Sequence, residues 1–175
     1  LIVREGHGLP LESQSDVKEV FQILVPLDGS ALSEAALLPA AQMSAAFAAP
    51  QSGALHLVQI VEPIAVMGDL TGAMAEANQE TMVEVEGYLK EVEQHLHEGP
   101  FAHFHLTVSS ETTPGIDVAT VLLTMTRGGK SGDNQGDRHK NQMIAMSTHG
   151  RHGLAYWIMG SIAERVLGAT TLPVL

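Results

Sequence analysis

The chain contains no cysteine, which excludes a disulfide framework and any zinc or iron–sulfur site built on thiolates. It is also poor in positive charge. Nine Lys and Arg stand against twenty Asp and Glu, a formal net charge of −11, so the surface repels a phosphate backbone and lacks the basic stripe that nucleic-acid binding needs. DNA and RNA are not expected as partners. Long apolar runs are missing too: the most apolar tract, Ala35 to Ala49, is interrupted by Pro39, Gln42 and Ser44, short of what a bilayer span requires. No membrane association is expected. The start has neither an initiator Met nor a charged-then-apolar leader, so it carries no address, and the chain is expected to be a fragment or a processed product. Thiol-free composition is compatible with a reducing compartment, and a cytoplasmic location is the expectation.

What is present is enough for one core. The chain has 175 residues, of which 45% are apolar, giving an expectation of one domain. Residues 1–20 mix Gly, Pro, Ser and charge without period and are expected to be a linker or the tail of a preceding domain. The domain proper is expected over 21–175. Its first strand, Phe21 to Leu27 (FQILVPL), is a short apolar run suited to burial on both faces of a parallel sheet. It stops at Asp28-Gly29-Ser30, where Ser30 is placed to cap a helix over 31–48. Pro39 removes one backbone bond from that helix and should bend it near Ala35.

A second strand is expected over Ala54 to Val61. Met82, Val85, Leu89, Val92 and Leu96, spaced by three or four, predict an amphipathic helix over 73–97, which Gly99-Pro100 stops. Alternation over His103 to Ser109 predicts a third strand, and 115–126 reads as helix. Residues 128–142 (GGKSGDNQGDRHKNQ) are polar and without period, and are expected to form a flexible surface insertion. Met143 to Ser147 predicts a fourth strand, Ser161 to Leu167 a helix, and Leu172 to Leu175 a fifth strand. Strands alternating with helices predict an α/β domain: an open five-stranded parallel sheet with helices on both faces.

The chemistry concentrates in two places. Ser147-Thr148-His149-Gly150 follows a buried strand, and Gly160-Ser161 opens a helix nine residues beyond Gly150. Glycine lets backbone approach a ligand, and the free N–H groups and dipole of a helix start favour an anion, so this is where phosphate is expected. The bland alternative is that these are turn glycines and that Ser161 starts an S-x-x-E capping box with Glu164. Asp28-Gly29-Ser30 lies at the carboxyl end of the first strand, the edge on which open α/β sheets bind ligands. If the first and fourth strands are neighbours, both motifs line one crevice. Asp28 has its own bland alternative as a helix cap.

The opening ILVPLDGSALSEAALLPAA and the closing MSTHGRHGLAYWIMGSIAERVLGATTLPVL resemble the two ends of universal stress protein domains. Members of the nucleotide-binding branch carry G-x2-G-x9-G-[ST], whose last three fixed positions fall here on Gly150, Gly160 and Ser161. The first falls on Ser147. The resemblance implies a Rossmann-like sheet of strand order 3-2-1-4-5 and a homodimer paired through the last strand. It implies ATP or AMP held with Mg²⁺ and at most slow hydrolysis. Pro26 and Asp28 would border adenine and ribose, Asp28 would reach a phosphate-bound metal, and Ile60 would be an apolar wall. The phosphate-side residues would be Ser147, His149, Gly150, Gly160, Ser161 and Ile162. Residues 1–4 read like the end of a last strand in this family, implying the second half of a tandem pair. The alternative function is a dimeric interaction module of the same fold that binds no nucleotide.

Other motifs read as ordinary structure. Gly129-Lys130-Ser131 imitates the end of a P-loop, but Thr124 stands where its first Gly belongs and a helix precedes it, so a solvated loop is expected. His95 and His97 point apart on a helix. His103 and His105 would share a strand face without a third ligand. His149 is expected to shape its loop rather than act as acid or base, and Trp157 to pack that loop or a dimer surface. No Ser-His-Asp arrangement stands out.

Overall fold

The computed structural model describes residues 2, 20–64, 71–126, 141–148 and 159–175. Within them the chain runs β1 (Gln22–Pro26), α1 (Ala31–Glu34), α2 (Leu37–Ala48), β2 (Ala54–Val61), α3 (Thr71–His97), a 3-10 helix (Gly99–Phe104), β3 (Thr107–Pro114), α4 (Val118–Thr126), β4 (Asn141–Ile144) and α5 (Ser161–Ala169). The strands form one sheet in the order β3-β2-β1-β4, every neighbouring pair parallel. This is the expected α/β architecture.

Alternation along the strands divides the core between two faces. Ile23, Val25, Leu55, Leu57 and Met143 pack with Leu37 and Ala41 of α2 and with Val85, Leu89, Val92 and Leu96 of α3. Leu24, Val58 and Ile144 face the other way, onto Ala119 and Leu122 of α4 and Val166 of α5. Residues 22–25 are buried without alternation because helices cover both sides of β1. The helix after β1 is interrupted where Pro39 requires it. Pro39 cannot donate to the carbonyl of Ala35, so α1 ends and α2 begins around Ala35 and Ala36.

Four expectations are corrected. First, residues 103–106 are not strand: His103 lies in the 3-10 helix, and His105, at φ 51°, is its left-handed cap. The two histidines therefore share no strand face. The real third strand is the polar run Thr107–Pro114, which pairs along its length with β2 and is the edge of the described sheet. An edge strand with one side open does not require an apolar pattern. Second, β4 starts at Asn141, two residues inside the expected insertion, because Gln22 Nε2 donates to Asn141 Oδ1 at 2.9 Å and Gln22 N–H to Gln142 Oε1 at 3.0 Å. Residues 127–140 lie outside the described residues.

Third, the fifth strand shrinks to a bridge. Val174 lies parallel to Ile144, with Leu175 N–H donating to Ile144 O at 2.8 Å and Met146 N–H to Leu175 O at 3.0 Å. The 3-2-1-4-5 order stands, with a short last member. Its outer edge carries Ile2, which exchanges two backbone bonds with Val174 at 2.6 and 2.9 Å in antiparallel fashion. Fourth, α5 starts at Ser161 as expected, but its N-cap is Gly160, so the capping box weighed as the bland alternative for Ser161 does not form.

Candidate functional site

The turn after β1 is closed by its own side chains. Asp28 Oδ1 accepts from Ser30 N–H at 3.0 Å and from Ser30 Oγ–H at 2.5 Å. Ser30 Oγ accepts from Ser33 N–H at 3.2 Å, capping α1 as expected, and Ser33 Oγ accepts from Asp28 N–H at 3.2 Å. Gly29 sits between them at φ 77°, where a Cβ is disfavoured. Asp28 is thus the anchor of an Asx turn and not the helix cap weighed for it, which is Ser30, and it makes further contacts as well.

The exit from β4 runs beside it. Ile23 and Leu24 pair with Met143 and Ile144, and Ala145 N–H donates to Leu24 O at 2.9 Å. The condition set by the sequence is met: β1 and β4 are neighbours, and both chains leave the sheet at the same carboxyl edge. β1 has β2 on one side and β4 on the other, with crossovers on opposite faces, so the edge between β1 and β4 is the switch point of the sheet. Gly160 N–H donates to Thr148 O at 2.8 Å, which ties the start of α5 to the exit of β4. A Cβ on Gly160 would meet that same oxygen at 3.2 Å, a tight contact that the Thr148 carbonyl could relieve only by shifting a few tenths of an ångström. Helix α5 then starts at Ser161, with Ser161 and Ile162 exposed and Ala163 and Val166 buried.

Of the predicted set, Pro26, Asp28, Ser147, Gly160, Ser161 and Ile162 belong to these two strand exits. Ile60, next to last in β2, packs with the α4 face of the core. His149, Gly150 and Trp157 lie outside the described residues. The first-turn amides of α5 and the positive end of its dipole are the anion-favouring feature of this edge.

Beside the crevice, on the α3 face, lies a cleft of about 530 Å³ that the sequence did not announce. Gly29, Gln59, Ile60, Val61, Glu62, Thr81, Glu84, Val85 and Tyr88 line it. It meets the predicted set only at Ile60.

Two polar clusters were also missed, because each joins residues far apart in sequence. On β2 and β3, His56 Nδ1 lies 3.0 Å from Ser109 Oγ and His56 Nε2 lies 3.5 Å from Glu111. Burial lowers the His56 pKa, with Glu111 opposing the shift. Farther along the α4/α5 side Arg165 of α5 donates two bonds, 2.8 and 2.6 Å, to the carboxylate of Asp117, which also accepts from Thr120 at the start of α4. Those hydrogen bonds, the one from Arg165 first, hold the Asp117 carboxyl well below the usual carboxylate range. Among the described residues no group of three His, Asp or Glu side chains is arranged to hold a metal ion, and no helix is long and apolar enough to cross a membrane.

A parallel sheet with its switch point between β1 and β4, and a glycine-capped helix at that edge, defines an open Rossmann-like α/β domain. Within that class the family is definite: the Universal stress protein family matches residues 20–175, and the chain belongs to it. Solved structures agree on the fold. The universal stress protein UspA from Lactobacillus plantarum is similar at a TM-score of 0.69 and 16% identity, with 90% of this chain and 97% of that one covered. The hypothetical protein MJ0577, the subject of a structure-based assignment of biochemical function, is similar at 0.66 and 18%, covering 90% and 94%. A universal stress protein solved in complex with cAMP is similar at 0.57 and 15%, covering 90% and 95%. A search of curated protein sequences finds no match.

Proposed function

We propose that the protein is an adenine-nucleotide-binding regulatory module that holds ATP or AMP with Mg²⁺ at the β1/β4 crevice and hydrolyses it slowly at most. The observation that carries this reading is the direct pairing of β1 with β4, which sets the Asp28 turn beside the glycine-capped start of α5. Support comes from family membership and from the family structure solved with cAMP, an adenine nucleotide. The residues present fit the group. Gly160 leaves no side chain in the phosphate approach, Ser161 offers an exposed hydroxyl, and Asp28 supplies one carboxylate, which is what Mg²⁺ takes when phosphates complete its shell. Ser161 and Ile162 would donate amides to phosphate, Pro26 and Ile60 would flank the base, and Ser147, His149 and Gly150 would complete the phosphate side. The bound ion would neutralise phosphate charge.

The test is direct. Heat-denatured protein should release adenine nucleotide resolvable by chromatography, and the stripped protein should bind ATP in calorimetry. No released nucleotide together with no affinity better than about 1 mM would reject the reading.

One observation favours the alternative, an interaction module without nucleotide: the Gly160 N–H is already given to Thr148 O and is not available to phosphate. Ser147 in place of glycine points the same way. A homodimer paired through the last strand would have to displace Ile2 from Val174, because Ile2 already takes both backbone groups there. Sedimentation velocity of the full chain against one lacking residues 1–20 measures this: dimer only in the shorter chain is expected. A cytoplasmic location is part of this reading.

A further inference from the structure

We infer that Ser109, His56 and Glu111 form a second site, which transfers the acyl group of an uncharged carboxylic ester. It is independent of the nucleotide reading: His56 precedes Ile60 in β2 by about 13 Å of strand.

The first observation is a relay of side chains across β2 and β3. Thr113 Oγ1 donates to Glu111 Oε1 at 2.9 Å, and Glu111 Oε2 lies 3.5 Å from His56 Nε2. An ionised carboxylate only accepts, so the ring proton belongs on Nε2 and Nδ1 is left as an acceptor. Ser109 Oγ lies 3.0 Å from that Nδ1 and donates to it, the arrangement of a serine paired with its base. Strand register brings the group together. His56 pairs with Ser109 and Val58 with Glu111, so His56, Ser109 and Glu111 share one face of the sheet. Burial lowers the His56 pKa, which keeps the ring neutral and able to take a proton at pH 7.

The second observation is access. Ser109 is exposed, whereas the His56 side chain keeps only 17% of its surface, so the nucleophile faces outward and the base is sheltered. Beside Ser109 stands a backbone donor. Thr107 N–H and Gly115 N–H turn inward, to Gly53 O and Val61 O at 2.9 Å. Ser110 is an odd number of residues from each, so its N–H turns out from the sheet edge, where no described group accepts it. The amide that follows a nucleophilic serine is a place where an oxyanion is held.

In the reaction, Ser109 Oγ bonds to the acyl carbon and its proton passes to His56 Nδ1, with Glu111 balancing the imidazolium. The carbonyl electron pair moves onto oxygen, facing Ser110 N–H. When the carbonyl reforms, the bond to the alcohol breaks and the alcohol takes the proton from Nδ1. Water then attacks the acyl-serine by the same path, releasing the acid and restoring Ser109. The net charge of −11 and the Glu111 carboxylate disfavour an anionic ester.

The experiment is reaction of the full chain with p-nitrophenyl acetate at pH 7, with rapid acid quench and mass-spectrometric mapping of the acetyl group. Nine histidines can hydrolyse the probe without an acyl-serine, so the mapped acetyl is the deciding readout. It is expected on Ser109 and absent in Ser109→Ala, whose exposed position leaves folding intact. His56→Gln should slow acylation by about 100-fold or more. Glu111 acts through His56 and is a positioning residue. Glu111→Gln should slow acylation by about tenfold or more, and it should move the pH–rate profile to lower pH, because the carboxylate raises the His56 pKa. Melting curves check the fold of each variant. ATP affinity should be unchanged in Ser109→Ala, which keeps failure here distinct from failure of the nucleotide reading. Acetyl absent from Ser109, an acylation rate unchanged in His56→Gln, or a pH profile unmoved in Glu111→Gln would each overturn the proposal.

Discussion

The two chain segments that leave the sheet at the β1/β4 edge solve the same problem in opposite ways. After β1, side chains close the turn: Asp28 holds Ser30, Ser30 caps α1, and Ser33 returns to Asp28. Before α5, no side chain caps the helix; a backbone bond from Gly160 to Thr148 ties the two segments together, and the first-turn amides have no side-chain partner among the described residues. One turn bonds its polar side chains largely to one another. The other leaves donors facing outward, which is what an anion site requires.

That contrast can be broken, and Gly160→Val should do so with the largest effect. A Cβ there already presses on Thr148 O at 3.2 Å, and the branched side chain adds bulk in the phosphate approach. ATP affinity, read by calorimetry, is expected to fall by about tenfold or more, a loss of about 1.4 kcal/mol or more. Unchanged affinity would put the nucleotide elsewhere.

Next in size is Ser30→Ala. Losing this cap should cost about 1 kcal/mol in urea unfolding. Its mirror sharpens the comparison. Ser161→Ala removes a hydroxyl that caps nothing, so stability should change by no more than about 0.5 kcal/mol. Equal losses for the two serines would show that α5 is capped by a side chain after all.

The smallest effect lies behind the α5 start, where Arg165 ties the helix to Asp117 of the α4 start. Asp117 has a depressed folded pKa. Its contribution is therefore complete above the unfolded value of about 3.9 and is lost as pH falls below it. Both side chains are largely exposed, at 55% and 42%, so solvent screens the pair and the contribution is small. Between about pH 5 and pH 2 the unfolding midpoint of Asp117→Asn should fall slightly less than that of the parent chain. An identical fall in both would show that the pair adds nothing.

Legibility in the sequence followed the range of the interaction. The α3 stripe was read because residues three and four apart share a helix face whatever that face meets: Val85, Leu89, Val92 and Leu96 are all buried. β3 was misplaced because it is an edge strand whose sequence, TVSSETTP, shows no apolar alternation. The site was half legible: the two motifs could be named, whereas their adjacency was only a condition until β1 was found paired with β4. The relay from Glu111 through His56 to Ser109 was illegible, since His56 stands 53 residues from Ser109 in the chain and nothing local marks a histidine for so distant a partner.

By itself the sequence determined what depends on neighbours along the chain: the buried run of β1, the Ser30 cap, the break that Pro39 imposes between α1 and α2, and the apolar stripe of α3. These arise from backbone geometry and side chains within a turn or two of each other. Tertiary structure alone decided the strand order, the start of β4 at Asn141 through the amide of Gln22, the Gly160–Thr148 closure, the cover Ile2 lays on Val174, and the acidic cleft around Gln59. Each of these joins segments far apart in the chain, and such contacts exist only once the sheet has brought its strands together.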